Sequence, residues 1–212
     1  MKSFIIVGAG NFGGSIAREL SEQGYDVMVV DLNEDRVNTM SKYVTHAVIA
    51  DASDEDALKT LGVRNFDFGI VSIGNNFGNS VLVTMILKNL GVKYVVSKAI
   101  SSTHAKVLEK IGADRIVFPE RDMGIRVANS LMNSNLLEYI ELSPNYSIME
   151  IAVPEAWIGK SITKLNVRAK YGLNIVAIKN GDDINVTPGP DYIFSEQDIP
   201  IVIGMNEDIK KI

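Results

Sequence analysis

Gly8, Gly10 and Gly13 stand at the spacing of a G-x-G-x-x-G turn, with Asn11 and Phe12 between the last two glycines, and Asp31 follows about 20 residues on. Each position has its own physical task. Gly8 permits a tight turn, Gly10 lets phosphate oxygens approach the backbone, and Gly13 lets the next helix lie close on the preceding strand. The start of such a helix offers free N–H groups and the positive end of its dipole to an anion. The Asp31 carboxylate, at the end of the next strand, can accept from two ribose hydroxyls. These residues read as a nucleotide cradle. The alternative is a turn of the same shape that holds no ligand.

The elements that position them are legible around the motif. The apolar run Ser3–Val7 is too short for anything but a strand, and Ile16, Ala17 and Leu20 then keep helical spacing up to Gly24. A second apolar run, residues 27–30, ends at Asp31. A G-x-G-x-x-G alone is weak evidence, but strand, turn, helix, strand and acid together form the context that a dinucleotide-binding turn requires.

The alternation continues. Helices are expected over 33–42, with Asn33 as cap, 55–61, 79–90 and 102–111, and strands over 47–50, 68–73, 92–96 and 115–118. Ser53 opens a capping-box-like pattern with Asp56. Gly24, Gly62, Gly91 and Gly112 each close a helix. A further helix starts at Pro119, with Glu120 and Asp122 in its first turn as the dipole prefers. The fold class is therefore α/β, a Rossmann-like doubly wound parallel sheet of order 3-2-1-4-5-6. In that order the ligand lies between residues 8–13 and the loop 73–76.

The texture changes at residues 132–135, which gives a nucleotide-binding domain over 1–135 and a small α+β lobe over 136–212. In the lobe, strands are expected over 137–142 and 148–153, split by a turn at 143–145. A helix over 161–171 turns Ile162, Leu165 and Ala169 inward; a hairpin spans 173–186 around Gly181, and a last strand spans 199–203. A module this small is marginal alone, so it is expected to lean on its own copy or on the first domain.

Composition narrows the function. The 212 residues carry a formal charge of −5, which speaks against a nucleic-acid polymer as partner. Cysteine is absent, which excludes disulfides, thiolate metal sites and a cysteine nucleophile. His46 and His104 lack ligand spacing; the first reads as a strand-edge residue, the second as a helix-capping or packing residue. No stretch approaches the ~20 apolar residues of a membrane span, and the first residues lack signal-peptide anatomy, so a cytoplasmic chain is expected. An NAD(H)-dependent oxidoreductase, or an NAD(H)-sensing protein, is the alternative function. It is the weaker one, because no nucleophile–base–orienter set is present and the C-terminal lobe lacks histidine and cysteine.

Several stretches in order, IVGAGNFGGSIARELSEQGYDVMVVDLNEDRV, THAVIADASDEDAL, VRNFDFGIVSIGNN, HAKVLEKIGADRIVFPERDMG and LNVRAKYGLNIVAIKNGDDI, resemble the regulator-of-potassium-conductance (RCK) domains, in particular the KtrA/TrkA family of potassium-uptake regulatory subunits. The resemblance covers nearly the whole chain. It implies no enzyme but a gating subunit that binds ATP or ADP and assembles from dimers into an octameric ring. The ring would sit at the inner face of the membrane on a potassium channel subunit of the KtrB or TrkH kind.

By the same resemblance Gly8, Gly10, Asn11, Phe12 and Gly13 match the phosphate turn, and Asp31 with Leu32 the ribose side. Asp51 and Ala52 lie beside the base, Ile73 and Gly74 in the loop after the fourth strand, and Lys98 near the phosphates. The alternative for Lys98 is a solvated loop lysine. Glu120 matches a carboxylate near the nucleotide; it would repel polyphosphate without a bridging Mg²⁺ or Na⁺. The alternative there is an ordinary acid in a first helical turn. The family commonly carries arginine where this chain has Asn11, so a charge that reads a γ-phosphate is missing and ATP–ADP discrimination is open. Some members bind cyclic di-AMP in the C-terminal lobe. Here Arg168, Asn174, Ile162, Ile175 and Pro190 would form that site between two copies, the arginine bonding phosphate and the apolar residues covering the bases. The alternative is a solvated arginine beside core isoleucines.

Overall fold

The computed structural model describes every residue except Met1, Asn75, residues 133–135, Pro144, Lys210 and Ile212. The break expected at 132–135 and the turn expected at Pro144 fall partly outside the described residues. The chain divides into two compact units, Met1–Glu120 and Arg121–Ile212.

In the first unit the elements run β1 (Ser3–Val7), α1 (Asn11–Glu22), β2 (Asp26–Asp31), α2 (Glu34–Met40), β3 (His46–Ile49), α3 (Glu55–Thr60), β4 (Phe68–Val71), α4 (Phe77–Asn89), β5 (Tyr94–Lys98), α5 (Ser102–Lys110) and β6 (Arg115–Val117). The six strands form one sheet in the order β3-β2-β1-β4-β5-β6, all pairs parallel. This is the expected doubly wound topology. Consecutive residues of β1 feed opposite faces: Ile5 and Val7 pack with Leu58, Val71, Val83 and Leu87, while Phe4 and Ile6 pack with Ala17, Val29 and Met40. A parallel strand covered by helices on both faces is apolar throughout for this reason.

The helix closures explain the repeating sequence pattern. At Gly24, Gly91 and Gly112, all at positive φ, the glycine N–H and the next N–H reach back into the last helical turn. For Gly91 the bonds are Gly91 N to Lys88 O at 3.1 Å and Val92 N to Leu87 O at 3.1 Å. That is a Schellman closure. It also corrects the expected strand 92–96: Val92 is spent on the helix end, and the strand runs two residues later, which brings Lys98 to its C-terminal tip. The expected cap Ser53 is corrected as well. Asp54 caps α3, accepting from Asp56 N and Ala57 N, because the Ser53 hydroxyl already donates to Asp51 Oδ1 at 2.6 Å.

The helix α6 (Pro119–Met132) starts at the division between the units. The second unit holds β7 (Leu136–Ser143), β8 (Tyr146–Ile151), α7 (Ile162–Leu165), α8 (Val167–Tyr171), β9 (Asn174–Asn180), β10 (Asp183–Asn185), β11 (Asp198–Met205) and α9 (Asn206–Ile209). Its antiparallel sheet has the order β10-β9-β11-β8-β7, over a core of Trp157, Leu173, Ile178, Phe194 and Val202. The single helix expected over 161–171 is two short ones. Asn166 adopts φ 47°, the left-handed region that asparagine tolerates. The break resets the register, so Val167 is buried and Ala169, expected inward, is exposed.

Candidate functional site

Gly8 begins the turn at φ +98°, and its N–H donates to Val30 O at 2.8 Å. A side chain there would also meet the Ser72 carbonyl oxygen at 3.0 Å. Gly10 is the N-cap of α1, no side chain caps that helix, and space beside its Cα is open. The first-turn N–H groups of α1 therefore face the cleft without a capping acceptor, which is the arrangement that suits phosphate. Gly13 lies behind the turn: a Cβ would fall 2.0 Å from Gly8 O, so only glycine lets helix and turn pack.

Asp31 ends β2 with its side chain 8% exposed. Its Oδ2 accepts from Ala9 N at 2.6 Å, its Oδ1 from Asn33 N at 2.8 Å, and Arg36 Nη1 stands 3.6 Å from Oδ2. The carboxylate thus ties the glycine turn to the start of α2, a role that the motif does not announce. Two carboxylate oxygens carry about four lone-pair sites, so acceptor capacity remains for ribose.

Asp51 follows β3 and accepts from Ser53 Oγ and Ser53 N; the hydroxyl first, then the amide, hold its carboxyl below the usual range. Ile73 and Gly74 follow β4. A Cβ on Gly74 would lie 3.3 Å from Lys98 Nζ, so the bare glycine is what lets the lysine reach the loop. The Lys98 side chain is 12% exposed and pairs with Glu120, which is 71% exposed. The Lys98 bond holds the Glu120 carboxyl below the usual range.

These residues frame a cleft of about 800 Å³ at the C-terminal edge of the sheet, where β1 and β4 are neighbours. Gly8, Gly10, Asn11, Phe12, Asp31, Leu32, Asp51, Ala52, Ile73, Gly74, Lys98 and Glu120 line it; of the expected residues only Gly13 does not. Ser15, Arg18, Arg36, Thr39 and Asn79 also line it and were not singled out in the sequence. Ser15 and Arg18 stand four and seven residues after Asn11 on α1, a helical spacing that could have found them. The Arg18 guanidinium lies 4.5 Å from the centroid of Tyr43.

Glu120 meets a lysine rather than further carboxylates, and among the described residues no group of three His, Cys, Asp or Glu could hold a metal ion. His46 is exposed on the edge strand β3, and His104 is fully buried in α5. No helix among the described residues is long and apolar enough to cross a membrane.

In the second unit Arg168 Nε donates to Asn174 Oδ1 at 2.7 Å, which brings those two expected residues together. Ile162 and Ile175 are partly buried against the Trp157 core. The Pro190 carbonyl accepts from Thr163 N at 2.9 Å and Thr163 Oγ1 at 2.8 Å, fixing the 187–191 loop beside α7.

Residues 4–119 match the model of the TrkA-N domain and residues 148–212 that of the TrkA-C domain. The chain is 50% identical over 210 residues to the Ktr system potassium uptake protein A of Bacillus subtilis, covering 99% of this chain and 95% of that protein. It is 35% identical to the protein of the same name from Vibrio alginolyticus, over 98% of this chain and 94% of that one. Among solved structures, the GsuK channel bound to NAD matches 98% of this chain with a TM-score of 0.64 at 19% identity; this chain spans 38% of that one.

Proposed function

Because the chain belongs to the TrkA family, with both the TrkA-N and TrkA-C domains, we propose that it is the nucleotide-binding gating subunit of a Ktr-type potassium uptake system. It acts by binding, not by catalysis. The observation that carries this reading is the cleft itself: an uncapped helix start at Gly10, an acid at Asp31 and a nearly buried ammonium at Lys98 around one space, in a chain half identical to a Ktr subunit.

The ligand is an adenine nucleotide, ATP or ADP. Its phosphates lie on the first turn of α1 and toward Lys98, its ribose on Asp31 and Leu32, and its base beside Asp51 and Ala52. Glu120 stands near enough to Lys98 to meet the phosphate end, and a Mg²⁺ or Na⁺ there would relieve its repulsion with the phosphates. Asn11 supplies no charge to read a third phosphate. NAD or NADH is the second reading, favoured by a cleft that continues past Ile73 to Asn79 and Val83. The subunits form dimers and an octameric ring that acts on a KtrB- or TrkH-like membrane channel from the cytoplasmic side. In the C-terminal domain, residues 136–212, paired copies offer Arg168 and Asn174 to the phosphates of cyclic di-AMP, with Ile162, Ile175 and Pro190 against its bases.

The test is potassium flux into vesicles that hold a Ktr membrane subunit. Flux should depend on addition of this chain and differ between ATP and ADP. Flux indifferent to the chain, or to every nucleotide tried, would contradict the proposal.

A further inference from the structure

Two stretches lead away from the cleft on its β4–β5 side, where Ile73, Gly74 and Lys98 line it. One carries Ile73 and Gly74 and runs into α4, whose first residue is Phe77. The other follows Lys98 through Ala99, Ile100 and Ser101 into α5. One side chain touches the second stretch and the start of α4. His104, fully buried, accepts on Nδ1 from Ile100 N at 3.3 Å, and its ring lies 4.6 Å from that of Phe77. Its own N–H donates to the Ser101 hydroxyl at 3.1 Å. Ser101 thus caps α5 in the usual way, while the imidazole reaches one residue further back than a capping-box Glu or Gln would, to the N–H that precedes the cap.

We propose that neutral His104 is the positioning residue that holds the stretch after Lys98 against the start of α4, and that its protonation releases that stretch and weakens nucleotide binding. The inference rests on the assignment of the cleft to a nucleotide. Because Nδ1 accepts, the neutral ring carries its proton on Nε2, and among the described residues that buried atom has no hydrogen-bond partner. A second proton must go on Nδ1, where it would point at the Ile100 N–H, donor against donor. It would also bury a charge that nothing compensates.

Burial lowers the His104 pKa from its ordinary value, and burial is the sole cause. The charged groups on the elements packed around it are Lys88 on α4, Lys98 on β5, Arg115 on β6, and Lys106, Glu109 and Lys110 on α5. Lys88 is paired with Asp114 and Lys98 with Glu120. The sign follows. A histidine whose folded pKa is depressed stabilises the fold fully above its unfolded pKa of about 6.5. That stability is lost as pH falls through the lower folded value.

The experiment uses the full chain, with ADP as probe, and compares wild type with His104→Gln and His104→Phe from about pH 8 down to the lowest pH at which the chain stays folded. Glutamine keeps an acceptor for Ile100 N and does not titrate; phenylalanine keeps the ring against Phe77 and loses the acceptor. Wild type should lose about fivefold or more in ADP affinity on acidification beyond the loss seen with His104→Gln, which carries any titration of ADP itself. His104→Phe should bind weakly throughout that range. Hydrogen exchange without nucleotide gives an independent reading. The Ile100 amide should lose protection on acidification in wild type and not in His104→Gln. Equal pH dependence in those two proteins, with equal exchange at Ile100, would overturn the clasp. If wild type fails to bind ADP even at pH 8, the nucleotide assignment fails, and the Ile100 exchange still decides for or against the clasp.

Discussion

The Asp31 carboxylate accepts from Ala9 N and Asn33 N, so its removal reaches beyond any ribose. Asp31→Ala leaves two amides without their acceptor at a cost of about 1–3 kcal/mol each if they stay dry. Calorimetry should find nucleotide affinity reduced at least about tenfold, since bonds to a charged acceptor are worth about 1.5–3 kcal/mol. Unchanged binding would remove the ribose from Asp31. If the phosphates lie toward Lys98 as proposed, Glu120 competes for that ammonium and repels them. Glu120→Gln should therefore tighten nucleotide binding in metal-free buffer and reduce any gain from added Mg²⁺; weaker binding without metal would reverse the role given to Glu120. The motif residues were legible because backbone sterics leave few residue types that can serve there. Arg36 and the amides that Asp31 holds were not, because a charged residue on an amphipathic helix face looks the same whether it borders a cleft or water.

The glycine turn makes opposite demands at two positions three residues apart. A Cβ on Gly10 meets nothing within 4 Å, whereas one on Gly13 falls 2.0 Å from the Gly8 carbonyl oxygen. Gly10→Ala should melt within about 0.5 kcal/mol of wild type, as a surface change does. Gly13→Ala should lower the melting temperature clearly, through a stability loss of about 1–3 kcal/mol or more, as overpacking does. Similar melting of the two proteins would mean that the close approach at Gly13 is not needed. The strand order was readable from sequence because apolar runs alternated with glycine-closed helices, and right-handed crossovers left few arrangements. The break at Asn166 was not, since asparagine also sits in helices, and nothing local separates a left-handed residue from a helical one. Ser53 and Asp54 can both cap; which one does depended on Asp51 taking the serine hydroxyl.

At the scale of the whole chain, the second unit carries its own acid response. Burial opposes the charge on Asp198, but the Ser195 amide at 2.8 Å, Asn180 Nδ2 at 2.7 Å and Tyr192 OH at 3.0 Å outweigh it, leaving the carboxyl below its ordinary value. Its stabilising effect is complete above the unfolded value of about 3.9 and is lost as pH falls through the lower folded one. Melting curves of the full chain should therefore steepen in their pH dependence below about pH 4, and Asp198→Asn should flatten that part. An Asp198→Asn profile that parallels wild type would deny the network this role. Assembly is the larger claim: light scattering should find species heavier than one chain at micromolar concentration, and a monomer with and without ATP would rule out a gating ring. Everything else depends on the cleft. The direct measurement is titration calorimetry of ADP and ATP into the full chain and into Gly10→Ala, where the added methyl enters the phosphate space without touching the fold. The account predicts saturable binding of one nucleotide per chain that the substitution abolishes; no saturable binding by wild type, or equal binding by both proteins, would contradict it.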